Sequence, residues 1–242
     1  YQAEQEQLVG VTCEFRQPKR AGDDVVSLQG VHKAYGDLVL YEGFDFLIRR
    51  QERWCVMGVN GAGKSTLLRL VAGMAEPDSG EVRVGASVKL GYFAQHAMEL
   101  LQPDETVLQT MERTHPKASG GSLRTVLGAF GFHKDDVEKT CRILSGGEKA
   151  RLVMAQMLYN PPNFLVLDEP TNHLDIQTKE MLVDALRDFK GTMLFVSHDR
   201  QFLRALSNRV LEVTPGEARA YNGSYKEYVA QSGYEAPGAR AV

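Results

Sequence analysis

Trp54-Cys55-Val56-Met57-Gly58-Val59-Asn60-Gly61-Ala62-Gly63-Lys64-Ser65-Thr66-Leu67-Leu68-Arg69-Leu70-Val71 is the stretch from which the fold is read. Trp54 to Met57 is a short apolar run of the kind a buried parallel strand produces, and from Thr66 the chain reads as an apolar helix. The turn between them, Gly58 to Ser65, is a full match to the glycine-rich loop that wraps a phosphate chain. Glycines let the backbone approach closely, so that amide N–H groups and the helix N-terminus face the negative charge. Lys64 would bridge the β- and γ-phosphates, and the Ser65 hydroxyl would coordinate Mg2+. A glycine-rich turn with a surface lysine is the rival reading; the strand before and the helix after weigh against it.

Working outward, Val25 to Gly36 reads as a strand and turn, and Phe44 to Ile48 as a second strand. Pro77, Asp78 and Gly80 mark a turn before EVRVG and VKLGYF, which alternate as half-buried strands do. Between Gln95 and Leu144 the character becomes helical, with breaks expected at His115-Pro116 and Gly120-Gly121, so a small helical subdomain is expected at about 97–160. EKARLVMAQMLY is helical and stops at Asn160-Pro161-Pro162. FLVLDE, Phe164 to Glu169, is a buried strand, KEMLVDALRDF an amphipathic helix and TMLFVSH another core strand. Strands alternating with helices define an α/β sheet.

The composition is that of an ordinary globular protein: 43% apolar, 24% charged and a net charge of −3. Such a balance argues against a general polyanion-binding surface without excluding a local basic patch. Cys13, Cys55 and Cys141 are too few and too widely spaced for a disulfide framework or a metal site, which fits a reducing, cytoplasmic setting. No apolar run approaches the ~18 residues of a membrane span. Residues 1–24 read as the end of a linker, 25–232 as the folded domain and 233–242 as a flexible tail. The absence of an initiator methionine before Tyr1 reads as a piece cut from a longer protein.

Asp168-Glu169 follows directly on FLVLD, so a buried strand delivers two adjacent carboxylates to its C-terminal tip, where open α/β sheets bind ligands. Asp168 would hold Mg2+, and Glu169 would orient and deprotonate an attacking water. Leu144-Ser145-Gly146-Gly147-Glu148 opens a helix and, alone, could be only a capped turn. Together, in this order, these segments resemble the ATP-binding-cassette (ABC) ATPases. The resemblance implies a P-loop fold with a mixed, largely parallel core sheet, an N-terminal antiparallel β portion and the helical insert. In that family the loop Gly58, Asn60, Gly61, Ala62, Gly63, Lys64, Ser65 and Thr66 binds ATP. Ser145, Gly146 and Gly147 offer bare N–H groups to the γ-phosphate of ATP on the other half of a dimer.

The same resemblance implies that Tyr35 stacks on adenine, with an ordinary turn tyrosine as the rival. Gln95 matches the family glutamine that reaches Mg2+ and the lytic water, with a solvent-facing glutamine as the rival. Leu174-Asp175 matches the loop that crosses the dimer interface. His198 matches the switch histidine on the γ-phosphate, and Asp199 is expected to cap the next helix. Glu169-Pro170-Thr171-Asn172-His173-Leu174-Asp175 resembles the ABC-F branch, soluble paired ATPases that act on ribosomes, where transporter-coupled domains usually read EPTSALD. That distinction rests on Asn172 and His173, and SVKLGYFAQH and AYNGSYKEY agree with it. The likeness, to the second of two ATPase domains, covers about Val25 to Tyr228. It implies ATP and Mg2+, a second ABC domain in the same parent chain or a homodimer, and the ribosome as partner, in translation or antibiotic resistance. The alternatives are the cytosolic ATPase subunit of a membrane transporter and a nucleotide-gated module without turnover.

Overall fold

The computed structural model describes residues 15–236 and 239–240. Cys13, most of the expected linker and part of the expected tail lie outside the described residues. The chain runs β1 (Asp24–Tyr35), β2 (Leu38–Arg49), β3 (Arg53–Met57), α1 (Lys64–Val71), β4 (Ser79–Val84), β5 (Leu90–Phe93), α2 (Gln95–Glu99), α3 (Val107–Thr114) and α4 (Gly120–Ala129). It continues through α5 (Gly146–Tyr159), β6 (Phe164–Asp168), α6 (Ile176–Arg187), β7 (Thr192–Val196), α7 (Arg200–Leu206), β8 (Arg209–Thr214), β9 (Glu217–Tyr221), α8 (Tyr225–Ser232), β10 (Tyr234–Ala236) and β11 (Ala239–Arg240).

Six strands form the central sheet in the order β5-β6-β7-β3-β8-β9, all parallel except β9, which pairs antiparallel with β8. A second, antiparallel sheet has the order β2-β1-β4. Alternate residues of each central strand face opposite sides, and the core divides accordingly. Val56, Val166, Leu194 and Leu211 pack with α1 and the antiparallel sheet, so α1 is enclosed between two sheets. Cys55, Leu165, Phe195 and Val210 face the other way, onto α5, α6, α7 and the helical insert. Residues Phe164 to Leu167 and Met193 to Phe195 show no exposed surface, which is why these strands read as continuous apolar runs.

Three expectations are corrected. Gly120-Gly121 does not interrupt a helix but forms the first turn of α4, capped by Ser119, whose hydroxyl accepts from the Ser122 N–H at 3.2 Å. The segment before β1 is not free of the domain. The Phe15 ring meets Phe130 edge-on at 5.8 Å, the Gln17 side chain accepts from the Lys190 N–H at 3.0 Å, and Ala21 is buried. The buried Asn163 ties this segment down, donating to Lys19 O at 3.1 Å and Ser87 O at 3.0 Å while accepting from the Lys89 N–H at 2.7 Å. Past Ser232, where a frayed end is expected, β10 pairs with β11, and Glu235 is buried beside Arg200.

Candidate functional site

β7 lies between β3 and β6 in a parallel sheet. The C-terminal ends of these strands therefore open on one edge, where the glycine loop leaves β3, Glu169 follows β6, and His198 follows β7. A cavity of about 440 Å³ lies there, lined by Tyr35, Leu38, Leu40, Asn60, Gly61, Gly63, Lys64, Ser65, Thr66, Arg69, Asp168, Glu169, Val196 and His198. Sequence segments up to 163 residues apart thus meet in one place.

The loop shape depends on its glycines. Gly61 and Gly63 have φ of 83° and 105°, the left-handed region that a side chain disfavours. At Gly58 a Cβ would sit 2.5 Å from the Val213 carbonyl oxygen, so the loop can press against β8 only with glycine there. Gly63 is the N-cap of α1 without any side-chain cap, which leaves the first-turn N–H groups of that helix available to a ligand. Lys64 Nζ donates to Gly58 O at 2.6 Å across the loop. Burial lowers its pKa, and the nearby Glu169 and Asp168 pull it back up.

Glu169 extends the sheet by one bond, its N–H donating to Val196 O at 2.9 Å, and then turns sharply with φ of 49°. A left-handed non-glycine residue costs about 1–3 kcal/mol and is characteristic of functional sites. Here the turn brings the carboxylate into the cavity. Its Oε2 accepts from the His198 N–H at 3.2 Å. Its Oε1 lies 3.1 Å from His198 Nε2 without hydrogen-bond alignment, and stays buried and unbonded. Burial raises the Glu169 pKa, opposed by His198. A carboxylate with an unsatisfied buried oxygen in the same cavity as the glycine loop can accept a proton or bind a water.

Tyr35 lines the cavity, 48% exposed, with Lys33 Nζ 5.2 Å from its ring centroid. Leu38 and Leu40 join it, two residues apart and so on one face of β2; that i, i+2 spacing after Tyr35 was the signal available for them. Ala62 is buried beneath the loop. Gln95 does not line the cavity and stands exposed at the first position of α2. Ser145, Gly146 and Gly147 do not line it either. Ser145 caps α5, its hydroxyl accepting from the Glu148 N–H at 3.1 Å, and the two glycines form the helix's first turn. Gly147 packs on the turn at His173: a Cβ there would meet His173 O at 2.5 Å. Asp175 caps α6, accepting from the Thr178 N–H at 2.7 Å, and Asp199 caps α7 as expected.

The sequence profile of the ABC transporter family matches residues 41–172, more than half of the chain. The chain belongs to that family and is an ATPase domain of the ABC type. Its relatives include members of the ABC F family. It is 40% identical over 214 residues to the probable ATP-binding protein YheS of Escherichia coli strain K12, which covers 88% of this chain and 34% of that one. It is 40% identical over 218 residues to ABC transporter F family member 5 of Arabidopsis thaliana, covering 89% and 32%. The chain thus spans about a third of the length of these relatives. Among solved structures, a dimeric ABC cassette in a post-hydrolysis state bound to ADP and Pi superposes with a TM-score of 0.67 at 26% identity, covering 81% of this chain and 98% of that one. A bacterial Atm1-family ABC exporter with ATP bound gives 0.73 at 21% identity, covering 90% and 42%. Among the described residues no helix is long and apolar enough to cross a membrane.

Proposed function

We propose that this chain is one half of a paired ABC-F ATPase, in which ATP on the Gly58–Ser65 loop is hydrolysed only when a second cassette closes over it. The observation that carries this reading is the separation of Ser145, Gly146 and Gly147 from the cavity of their own chain. The Ser145 N–H is taken by Glu148 Oε1 at 3.2 Å, and it is the first-turn N–H groups of Gly146 and Gly147 on α5 that suit a phosphate presented by another cassette. Tyr35, Leu38 and Leu40 form an apolar platform for adenine. The N–H groups of Gly61 to Thr66 and the Lys64 ammonium neutralise the phosphates. Glu169 accepts the proton of the attacking water, and His198 donates to the γ-phosphate.

Mg2+ fits the donors available. Ser65 and Asp168 are hard oxygen ligands beside the phosphate loop, and no cluster of three carboxylate, His or Cys side chains forms a protein cage among the described residues. Such a sparse set suits Mg2+, which keeps several waters and shares substrate phosphates. Bound there, it would neutralise phosphate charge. Gln95, exposed on α2, would join this site only when the helical insert moves toward the cavity. In the cytoplasm the closed pair would engage the ribosome, a reading supported by Asn172 and His173 and by the F-family relatives.

Light scattering of Glu169→Gln tests the pairing: Mg-ATP should double its mass, and an unchanged mass would count against it. Cosedimentation of the Mg-ATP-bound parent protein with ribosomes tests the target; recovery with membranes instead would favour a transporter subunit.

A further inference from the structure

Tyr41 belongs to none of the motifs above, yet its hydroxyl donates to the Gly63 carbonyl at 2.8 Å. We propose that Tyr41 is a positioning residue for the phosphate loop, holding the Gly63–Lys64 peptide in its ligand-ready orientation before nucleotide arrives. The proposal rests on the reading of the cavity as an ATP site.

Tyr41 sits in β2, 1% exposed, with its ring tilted on Phe44 at 5.2 Å. A buried phenol needs a polar partner, and Gly63 O is the one it has here. The same oxygen accepts the Leu67 N–H at 3.0 Å, so the last carbonyl before α1 is held by one donor from the helix and one from the antiparallel sheet. A peptide is planar and trans, so its C=O and N–H point in opposite directions. Fixing the carbonyl on the Tyr41 side therefore fixes the Lys64 N–H on the other side.

Gly63 has no side chain to restrain it, and its φ of 105° is one of several that glycine adopts freely. Without the hydroxyl the loop gains alternatives. The fit is close as well: a Cβ on Gly63 would lie 3.2 Å from both Leu40 Cβ and Tyr41 Cε2. Burial raises the phenol's pKa above its ordinary value, so it remains a neutral donor throughout the working range of pH. Leu40, its neighbour, lines the cavity, so one strand serves both the proposed base platform and the phosphate loop.

Tyr41→Phe keeps the ring, and Gly63 O keeps its bond to Leu67. A loop that spends less time in the competent form binds more weakly in proportion. The variant should bind both Mg-ATP and inorganic Mg-triphosphate about fivefold to tenfold more weakly by calorimetry, up to about 1.4 kcal/mol, with its unfolding temperature nearly unchanged. Triphosphate carries no base, so an equal loss for both ligands locates the effect in the loop. Unchanged affinity for both, or a loss for ATP alone, would overturn the proposal. Wild-type protein that binds neither ligand would instead overturn the ATP reading beneath it. Should the variant fail to fold, amide relaxation on unliganded wild type decides. Gly63 and Lys64 should show order parameters of about 0.85, as rigid backbone does, and values typical of a mobile turn would contradict the proposal.

Discussion

Gly146 and Gly147 stand side by side at the start of α5, and their surroundings give them opposite tolerances. A Cβ on Gly147 would lie 2.5 Å from His173 O, whereas one on Gly146 meets nothing within 4 Å. Both Gly147 and the His173 carbonyl are backbone, so no side chain can swing aside. Reaching ordinary contact at 3.4 Å requires α5 and the turn to part by about 0.9 Å. His173 already has φ of 65°, so the turn has little room to relax. Overpacking of this kind costs about 1–3 kcal/mol, and in a chain of this size each kcal/mol shifts the midpoint by about 2–4 °C. Gly147→Ala should therefore lower the unfolding temperature by about 2–12 °C. Gly146→Ala should leave it unchanged or raise it, since alanine suits a helix better than glycine. Circular dichroism melts of the two variants beside wild type measure this directly. A Gly147→Ala protein that melts with wild type, or a Gly146→Ala protein that melts as low as Gly147→Ala should, would refute the reasoning. If Gly146 meets a partner's phosphate, Gly146→Ala should also fold normally yet fail to pair under Mg-ATP.

Four further outcomes follow from the site. Burial raises the Glu169 pKa above its ordinary 4.5, so folding takes up a proton there and stability falls as pH rises from 4.5 through the higher folded value. Glu169→Gln removes that loss and should melt above wild type at about pH 8 but not at about pH 4; equal gains at both would sever the link to this carboxyl. In a paired protein the same change should cut turnover about 10²- to 10⁴-fold while sparing nucleotide binding, and undiminished turnover would mean another base. Lys64→Ala removes the cation over the loop and should weaken Mg-ATP at least about tenfold by titration calorimetry; unaltered affinity would displace Lys64 from the phosphates. Tyr35→Ala should lose one stacking face, about 1–3 kcal/mol, seen as weaker ATP binding with triphosphate binding unaffected.

What the sequence disclosed depended on contiguity. Gly58 to Ser65 is legible because eight consecutive residues build the loop, and Asp168-Glu169 because the fully buried run before it leaves no other role for the strand. The gathering of these segments was legible too, since parallel strands open on one edge. Contacts made across the fold were not. Tyr41 reaches a carbonyl 22 residues away and carries no local signal of doing so. Gly147 and His173 meet only because α5 folds back on the turn after β6. The left-handed Glu169 is a demand of the site rather than a preference of glutamate. The β8–β9 hairpin does leave a trace, in the alternation of Leu211-Glu212-Val213-Thr214 before Pro215-Gly216.

The central claim is that a triphosphate lies on the turn between β3 and α1, within reach of the carboxylate after β6. A crystal structure of Glu169→Gln grown with Mg-ATP tests it most directly. The phosphates should be wrapped by the Gly61 to Thr66 amides, with the γ-phosphate between Lys64 and position 169. Nucleotide bound elsewhere, or a loop turned away from the Asp168 strand tip, would contradict it.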